Sequence, residues 1–129
     1  MEKRRFIRFA VLLLVCCTML GCGKQNVEPE PEIVTKIYGT VFDYETGNPL
    51  QGAQIQFGRY HESYYSHEFY RISSSVSGSD GFYELIFGEL PQSSSYDIYQ
   101  IRVDYSDWYT KIVSLDVVEG NSYRIDINY

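Results

Sequence analysis

Cysteine is scarce in this sequence and is confined to its beginning. The 129 residues contain three cysteines, Cys16, Cys17 and Cys22. No position after Cys22 offers a thiol. The chain beyond it therefore has neither a disulfide nor a cysteine nucleophile, and it cannot build a cysteine-ligated zinc site.

Positive charge is also in short supply. The chain has 11 Lys and Arg against 17 Asp and Glu, which gives a net charge of −6. Residues 1–21 carry four of the basic residues and one acidic residue, so the remaining 108 residues hold 7 basic and 16 acidic side chains and a net charge of −9. Because phosphate contacts supply most of the affinity for DNA and RNA, this balance excludes nucleic acid as a partner.

Motifs for catalysis and metal binding are missing. The two histidines, His61 and His67, lie six positions apart, whereas a zinc-protease helix needs them four apart with a glutamate between them. On an extended strand an even spacing places both rings on one face, so a weak surface metal site is the alternative to two solvated loop residues. The serine runs at 73–75 and 93–95 lack a Gly-x-Ser-x-Gly elbow. We therefore expect no enzyme activity, no cofactor and no metal.

No hydrophobic run is long enough to cross a membrane comfortably. The apolar stretch 9–20 has 12 residues, and a spanning helix needs roughly 20. Four basic residues precede it within the first eight positions. A basic segment followed by a short apolar one is typical of a cleaved secretory signal, which we predict over residues 1–21.

The end of this segment resembles a known modification site. Met19-Leu20-Gly21-Cys22 is similar to the bacterial lipobox, in which a small residue precedes a cysteine that receives a diacylglycerol and, after cleavage, an N-acyl chain. The alternative is an ordinary signal peptide with an incidental cysteine. Each buried methylene contributes about 0.8 kcal/mol, so several acyl chains together anchor stably. The resemblance implies a lipoprotein of the bacterial cell envelope, anchored in the outer membrane through Cys22 and facing either the periplasm or the exterior.

An acidic segment separates the cysteine from the rest of the chain. Residues 23–34 hold three glutamates and two prolines and show no periodic apolar pattern, as in an extended, flexible linker. The segment loosely resembles the export signals of surface lipoproteins in Bacteroidetes, and a plain spacer is the alternative. We predict that residues 22–35 are the lipidated cysteine and its linker and that residues 36–129 form one domain.

From Lys36 onward the apolar residues alternate with a period of two, which is typical of half-buried strands. Asp80-Gly81 suits a tight hairpin turn that needs a positive φ. About seven such segments occur at short spacing with no helical pattern, and they indicate an all-β, antiparallel β-sandwich. The predicted strands cover residues 36–42, 53–57, 73–77, 82–87, 99–105, 113–117 and 123–129.

One block of residues resembles a known family. The pattern Ile37-x-Gly39-x-Val41-x-Asp43-x-x-Thr46-Gly47-x-Pro49-Leu50-x-Gly52-Ala53-x-Ile55 is similar to the opening of carboxypeptidase regulatory-like domains, which are transthyretin-like, seven-stranded sandwiches. Ser79-Asp80-Gly81-x-Tyr83-x-Leu85 is similar to their next turn and strand. The resemblance implies a structural or accessory module, found singly in lipoproteins and at the start of outer-membrane nutrient receptors, without catalytic residues.

The aromatic residues supply the candidate binding site. The stretch 59–71 is longer and more aromatic than a minimal hairpin requires, and tyrosine and tryptophan recur at recognition surfaces because they join apolar area to a polar edge. Strands also favour them, so packing within the sheets is the alternative. The candidate ligand-binding residues are Tyr60, Tyr64, Tyr65, Phe69, Tyr70, Trp108 and Tyr109.

Two functions follow from these observations. The first is a non-enzymatic, lipid-anchored envelope protein whose sandwich has a structural or accessory role. The alternative is a surface lipoprotein that binds a glycan, a peptide or an envelope protein through the aromatic loop at residues 59–71. Rings exposed on one patch would favour binding, and rings packed into the sheets would favour structure.

Overall fold

The computed structural model describes residues 28–106 and 109–129, which form eight β-strands and no helix. In this part of the chain no helix is long and apolar enough to cross a membrane. The predicted signal peptide and Cys22 lie outside the described residues. The compact unit that contains the strands extends over Pro31–Tyr129. Its strands are β1 (Thr35–Phe42), β2 (Gln54–Glu62), β3 (His67–Val76), β4 (Phe82–Phe87), β5 (Asp97–Ser106), β6 (Tyr109–Ser114), β7 (Ser122–Arg124) and β8 (Ile127–Asn128).

The strands form two sheets that face each other, so the predicted all-β sandwich is confirmed. One sheet has the order β4-β1-β7, with β8 also paired to β1, and the other has the order β3-β2-β5-β6. Phe57 of one sheet stacks on Phe87 of the other, with 4.6 Å between ring centroids. Each fully buried aliphatic or aromatic side chain contributes about 1.5–3 kcal/mol, so this shared core is the main source of stability.

The predicted alternation is confirmed along the strands. In β1, Ile37 and Val41 are fully buried while Lys36 and Tyr38 are half-buried. Strand β4 repeats this pattern with Tyr83 and Leu85 inward. Most of the core lies on the inward rows that the period of two predicts, but Leu50 comes from the turn before β2, and the predicted inward residues Val113, Leu115 and Val117 are only half-buried. The buried core consists of Ile37, Val41, Leu50, Ala53, Ile55, Phe57, Tyr83, Leu85, Phe87, Ile101, Val103 and Ile127.

The last predicted strand differs from the structure. Residues 123–129 form two short strands, β7 and β8, and both run parallel to β1. The sandwich therefore has eight strands, and the sheet that contains β1 is mixed rather than antiparallel. The break falls where the backbone of Ile125 passes directly over Gly39, and there the carboxylate of Asp126 accepts the N–H of Thr40 at 3.0 Å in place of a backbone carbonyl.

The turn at Gly81 has the predicted conformation but a different role. Its φ is +72°, as expected. However, β3 pairs with β2 and β4 pairs with β1, so the predicted hairpin between them is wrong and the turn connects the two sheets. Ser77 exchanges backbone hydrogen bonds with Gly52 and Ala53, both at 2.9 Å, which keeps the end of β3 beside β2. The chain after the turn therefore crosses to the other sheet.

Candidate functional site

The residues that carry the family resemblance shape a turn and the core. Asp43 Oδ1 accepts the N–H groups of Glu45 and Thr46 at 2.8 and 3.1 Å. Gly47 follows with a φ of +70°, a conformation that side-chain-bearing residues resist. This segment joins β1 to β2, and its geometry explains the pattern by folding alone.

The aromatic stretch 59–71 is not a loop. Strand β2 continues to Glu62 and β3 begins at His67, so the stretch is the outer part of a β-hairpin, which we call the arm. Only residues 63–66 form its turn, where Ser66 N–H donates to Ser63 Oγ at 3.0 Å and Ser63 N–H donates to the Ser66 carbonyl at 2.9 Å. The prediction of an aromatic loop is therefore wrong, because the two strands pair on both sides of this turn, up to Glu62 and His67.

The tip of the arm carries two of the predicted binding residues. Tyr64 and Tyr65 are each 93% exposed. Their rings meet edge to face with 5.0 Å between centroids. The turn presents both rings to solvent, and exposed aromatic pairs of this kind are suited to recognition.

One face of the arm holds two more candidates in internal contacts. Tyr60 and Phe69 are cross-strand partners. The guanidinium of Arg102 on β5 lies 4.0 Å from the Phe69 ring centroid and 5.5 Å from that of Tyr60, within the range of a cation–π interaction. The Tyr60 hydroxyl also hydrogen-bonds His67 Nδ1 at 2.9 Å. These rings therefore support the arm.

Tyr70 lies on the opposite face. The Arg59 guanidinium lies 5.0 Å from its ring centroid, and its hydroxyl donates a hydrogen bond to the Glu68 carboxylate. That hydrogen bond and the nearby negative charge of Glu68 raise the pKa of Tyr70. Tyr70 is 45% exposed. One part of its ring therefore packs against Arg59, and another part remains accessible to solvent.

Asp97 lies opposite His61, near the tip of the arm, on that same face. Its side chain is only 4% exposed, and it accepts hydrogen bonds from Ser94 N–H at 2.5 Å and from His61 Nδ1 at 2.6 Å. The Arg59 guanidinium is 3.6 Å away. The Ser94 N–H, followed by the His61 hydrogen bond, holds the pKa of Asp97 below its usual range. The carboxylate therefore stays ionised at neutral pH and ties β5 to β2.

The two histidines do not share a face, so the surface metal site considered from their spacing is not formed. His61 contacts Asp97, whereas His67 stacks against Tyr60 on the other side of the arm. Across the turn at residues 63–66, His67 pairs with Glu62, the neighbour of His61, so the two rings lie on opposite faces although six positions separate them. Residues 28–106 and 109–129 contain no group of three or more histidine, aspartate or glutamate side chains placed to hold a metal ion.

The remaining candidates do not join the arm. Tyr109 begins β6 and pairs with Ser106 at the last residue of β5. The arm lies beside the first residue of β5, Asp97. Tyr109 and the arm are therefore at opposite ends of this strand. Trp108 is outside the described residues. The predicted binding residues are therefore not a single patch.

A second aromatic cluster surrounds Tyr109. The Tyr129 ring meets the Tyr105 ring edge to face at 5.9 Å and the Tyr109 ring at 5.5 Å. The Tyr129 hydroxyl donates to the Tyr109 backbone carbonyl. These rings line an open groove of about 660 Å³, larger than the hollow of about 540 Å³ beside the arm. We call it the tyrosine groove; its lining consists of Asp43, Tyr44, Glu45, Leu50, Tyr105, Tyr109, Lys111, Asn128 and Tyr129.

Sequence reasoning missed this groove, because it assigned Tyr105 and Tyr129 to inward rows. Each is the last member of its row, and Tyr105 is 48% exposed. A tyrosine at the end of an inward row marks the rim of the core, and that position is the signal that could have indicated the groove.

Comparisons with known proteins give little beyond this geometry. No family model matches the sequence, and no curated protein matches it. The crystal structure of a 9R-lipoxygenase from Cyanothece PCC8801 is similar over 73% of this chain, with 14% identity and a TM-score of 0.44. The chain corresponds to 16% of the length of that lipoxygenase. A likeness at this level is not evidence of a shared activity.

Proposed function

We propose that the protein is a lipid-anchored component of the bacterial cell envelope whose β-sandwich has a structural or accessory role rather than a catalytic one. The observation that carries the proposal is Gly21-Cys22, placed directly after a basic and then an apolar segment. Residues 23–34 then lead to the first strand at Thr35. At about 3 Å per residue, an extended linker of this length would hold the sandwich a few tens of ångströms from the bilayer.

The described geometry supports an accessory module of the carboxypeptidase regulatory-like type. The residues that resemble that family form the turn after β1 and part of the core. Asp97 and His61, which have the residue types of an acid–base pair, are hydrogen-bonded to each other near the tip of the arm. This hydrogen bond joins β2 to β5, which gives both side chains a structural role.

The lipid anchor predicts a defined mature form. Mass spectrometry of the protein purified from bacterial membranes is expected to show an N-terminus at Cys22 that carries a diacylglyceryl group and an N-acyl chain. Cys22→Ala is expected to abolish acylation and leave residues 1–21 attached, because cleavage follows lipid attachment. Cys17→Ala is the matched control, since that residue leaves with the signal and the mature mass stays unchanged. An unmodified Cys22, or a mature terminus elsewhere, would remove the lipoprotein assignment.

A second function, binding of a glycan or peptide at the arm, is favoured by one observation. Tyr64 and Tyr65 are almost fully exposed, and the hydrogen bonds of the turn at residues 63–66 hold their backbone in place. An ordered turn that presents two aromatic rings loses little conformational freedom when it binds.

Removal of the two tyrosine rings at the tip is expected to leave the fold intact. We expect Tyr64→Ala combined with Tyr65→Ala to change the free energy of unfolding by less than about 0.5 kcal/mol, because both side chains lie outside the core. Recovery of an envelope partner in a cross-linked pull-down should fall by a factor of about 30, which corresponds to a loss of about 2 kcal/mol at a binding hot spot.

Val118→Ala is the control for this experiment, since Val118 is 62% exposed but lies outside both the arm and the tyrosine groove. A double variant that captures the same partners as the unaltered protein would exclude the tip as the binding site. Unfolding of the double variant would show instead that the tyrosines support the fold.

A further inference from the structure

The tyrosine groove lies at the opposite end of the sandwich from the arm. Strand β1 enters the fold at Thr35, which pairs with Phe87, and Phe87 stacks on Phe57 at the base of the arm. The other end of β1 leads into Asp43 and Tyr44, which line the groove. The groove is therefore about the length of β1 away from the point where the linker joins the domain.

The lining of the groove combines aromatic rings with polar side chains. Tyr44, Tyr105 and Tyr109 are 80%, 48% and 54% exposed, so much of their surface remains accessible. The lining also includes Asp43, Glu45, Lys111 and Asn128, whose side chains carry carboxylate, ammonium and amide groups. Its volume, about 660 Å³, is within the range of about 300–1,000 Å³ that small-molecule sites occupy.

The charges of the lining restrict what it can hold. The Asp43 carboxylate is already engaged by the N–H groups of Glu45 and Thr46, so Glu45 and Lys111 remain as one charge of each sign. Because neither sign dominates, a neutral ligand fits best. A neutral ligand must still satisfy the polar groups while covering the tyrosine rings. Pyranose sugars meet both demands, because their C–H faces pack on aromatic rings and their hydroxyls donate to and accept from carboxylate, amide and ammonium groups.

A second hollow extends the site. It has a volume of about 310 Å³, is lined by Gly52, Gln54, Asp104 and Ser106, and shares Tyr105 with the tyrosine groove. The shared residue makes the two hollows neighbours at one end of the sandwich. A chain of sugars could therefore continue from one to the other.

We propose that the tyrosine groove is a binding site for neutral oligosaccharides, in which Tyr44 and Tyr109 stack on sugar rings and Glu45 and Asn128 bind hydroxyls. This site is separate from the arm, and the proposal does not depend on lipid anchoring. At the end of the domain farthest from the linker, the groove is open to long glycans.

Native gel electrophoresis of the full chain in detergent, in gels that contain yeast mannan, xyloglucan, arabinoxylan or glycogen, tests the proposal. We expect at least one of these polysaccharides to retard the protein, and calorimetry with the corresponding hexasaccharide then gives the affinity. Tyr44→Ala and Tyr109→Ala are each expected to weaken binding about tenfold or more. Tyr109→Phe keeps the ring and should stay within about threefold of the unaltered protein.

Tyr96→Ala is the matched control, because Tyr96 is 68% exposed and lies outside the groove, and it should leave the affinity unchanged. Tyr64→Ala combined with Tyr65→Ala tests the arm as the alternative site. The proposal is overturned if none of the polysaccharides retards the protein, or if both single alanine variants bind as well as the unaltered chain. It is also overturned if only the arm variant loses binding, or if tetramethylammonium displaces the sugar, since that would indicate a cation site. Because Tyr44 is largely exposed, its variant decides the question even if Tyr109→Ala does not fold.

Discussion

Gly39→Ala is expected to lower the free energy of unfolding by about 3 kcal/mol or more. A Cβ at this position would lie 1.9 Å from the carbonyl oxygen of Ile125, 2.6 Å from its carbonyl carbon and 3.2 Å from the Asp126 nitrogen. All three are backbone atoms, so no side-chain rotation relieves the overlap. The chain between β7 and β8 would have to move away from β1, which breaks the 2.8 Å hydrogen bond from Ile125 N–H to the Tyr38 carbonyl.

Denaturant unfolding of Gly39→Ala, beside Gly88→Ala, measures this effect. At Gly88 the nearest atom to a new Cβ is the Ile33 oxygen at 3.6 Å, which is an ordinary contact. That variant should therefore stay within about 0.5 kcal/mol of the unaltered protein. If the two variants were equally stable, the close approach of the last strands to β1 would be wrong.

Gly81→Val is expected to cost about 3 kcal/mol through two separate effects. The φ of +72° is a conformation that a β-branched residue resists, at about 1–2 kcal/mol. The added Cβ would also lie 2.6 Å from the Val41 carbonyl oxygen and 3.0 Å from Pro49 Cβ. The sequence alone predicts only the first effect, because the contact with Val41 arises from the packing of the turn onto β1.

Gly47→Val separates the two effects. Gly47 has nearly the same φ, +70°, but nothing lies within 4 Å of its Cβ position. Its loss of stability in denaturant unfolding therefore reports the backbone strain alone, and the additional loss in Gly81→Val reports the overlap with β1. Equal losses for the two variants would show that the turn is not packed against Val41 and Pro49.

Local features of the fold could be predicted from the sequence. The alternation of Ile55 and Phe57 with glutamine, and of Ile101 and Val103 with Arg102 and Asp104, indicates which side of each strand is buried. Asp80-Gly81 indicates a turn with a positive φ. These predictions hold because they depend on residues a few positions apart, whose backbone conformation and solvation are decided locally.

Strand partners and the groove depend on residues far apart in the chain. No residue close to Ser77 in the sequence indicates that β4 crosses to the other sheet. The crossing depends on the backbone hydrogen bonds that Ser77 makes with Gly52 and Ala53. Likewise, Tyr44, Tyr105 and Tyr129 converge only when β1, β5 and the end of the chain are placed together. A period-two pattern identifies the buried face of a strand but not its neighbour, so the groove could not be predicted.

The pairing of β1 with β7 and β8 also determines when the domain can fold. The hydrogen bond from Thr40 N–H to Asp126 spans 86 positions, and the one from Gly120 N–H to Thr35 Oγ1 spans 85. Closing loops of that length costs entropy before any contact compensates for it, which slows folding. During synthesis the first strand must wait for residues 122–128, and until they emerge its unpaired edge is exposed to aggregation. If the chain is delivered across a membrane from its N-terminus, as proposed, this sheet is completed only after almost all of the domain has crossed.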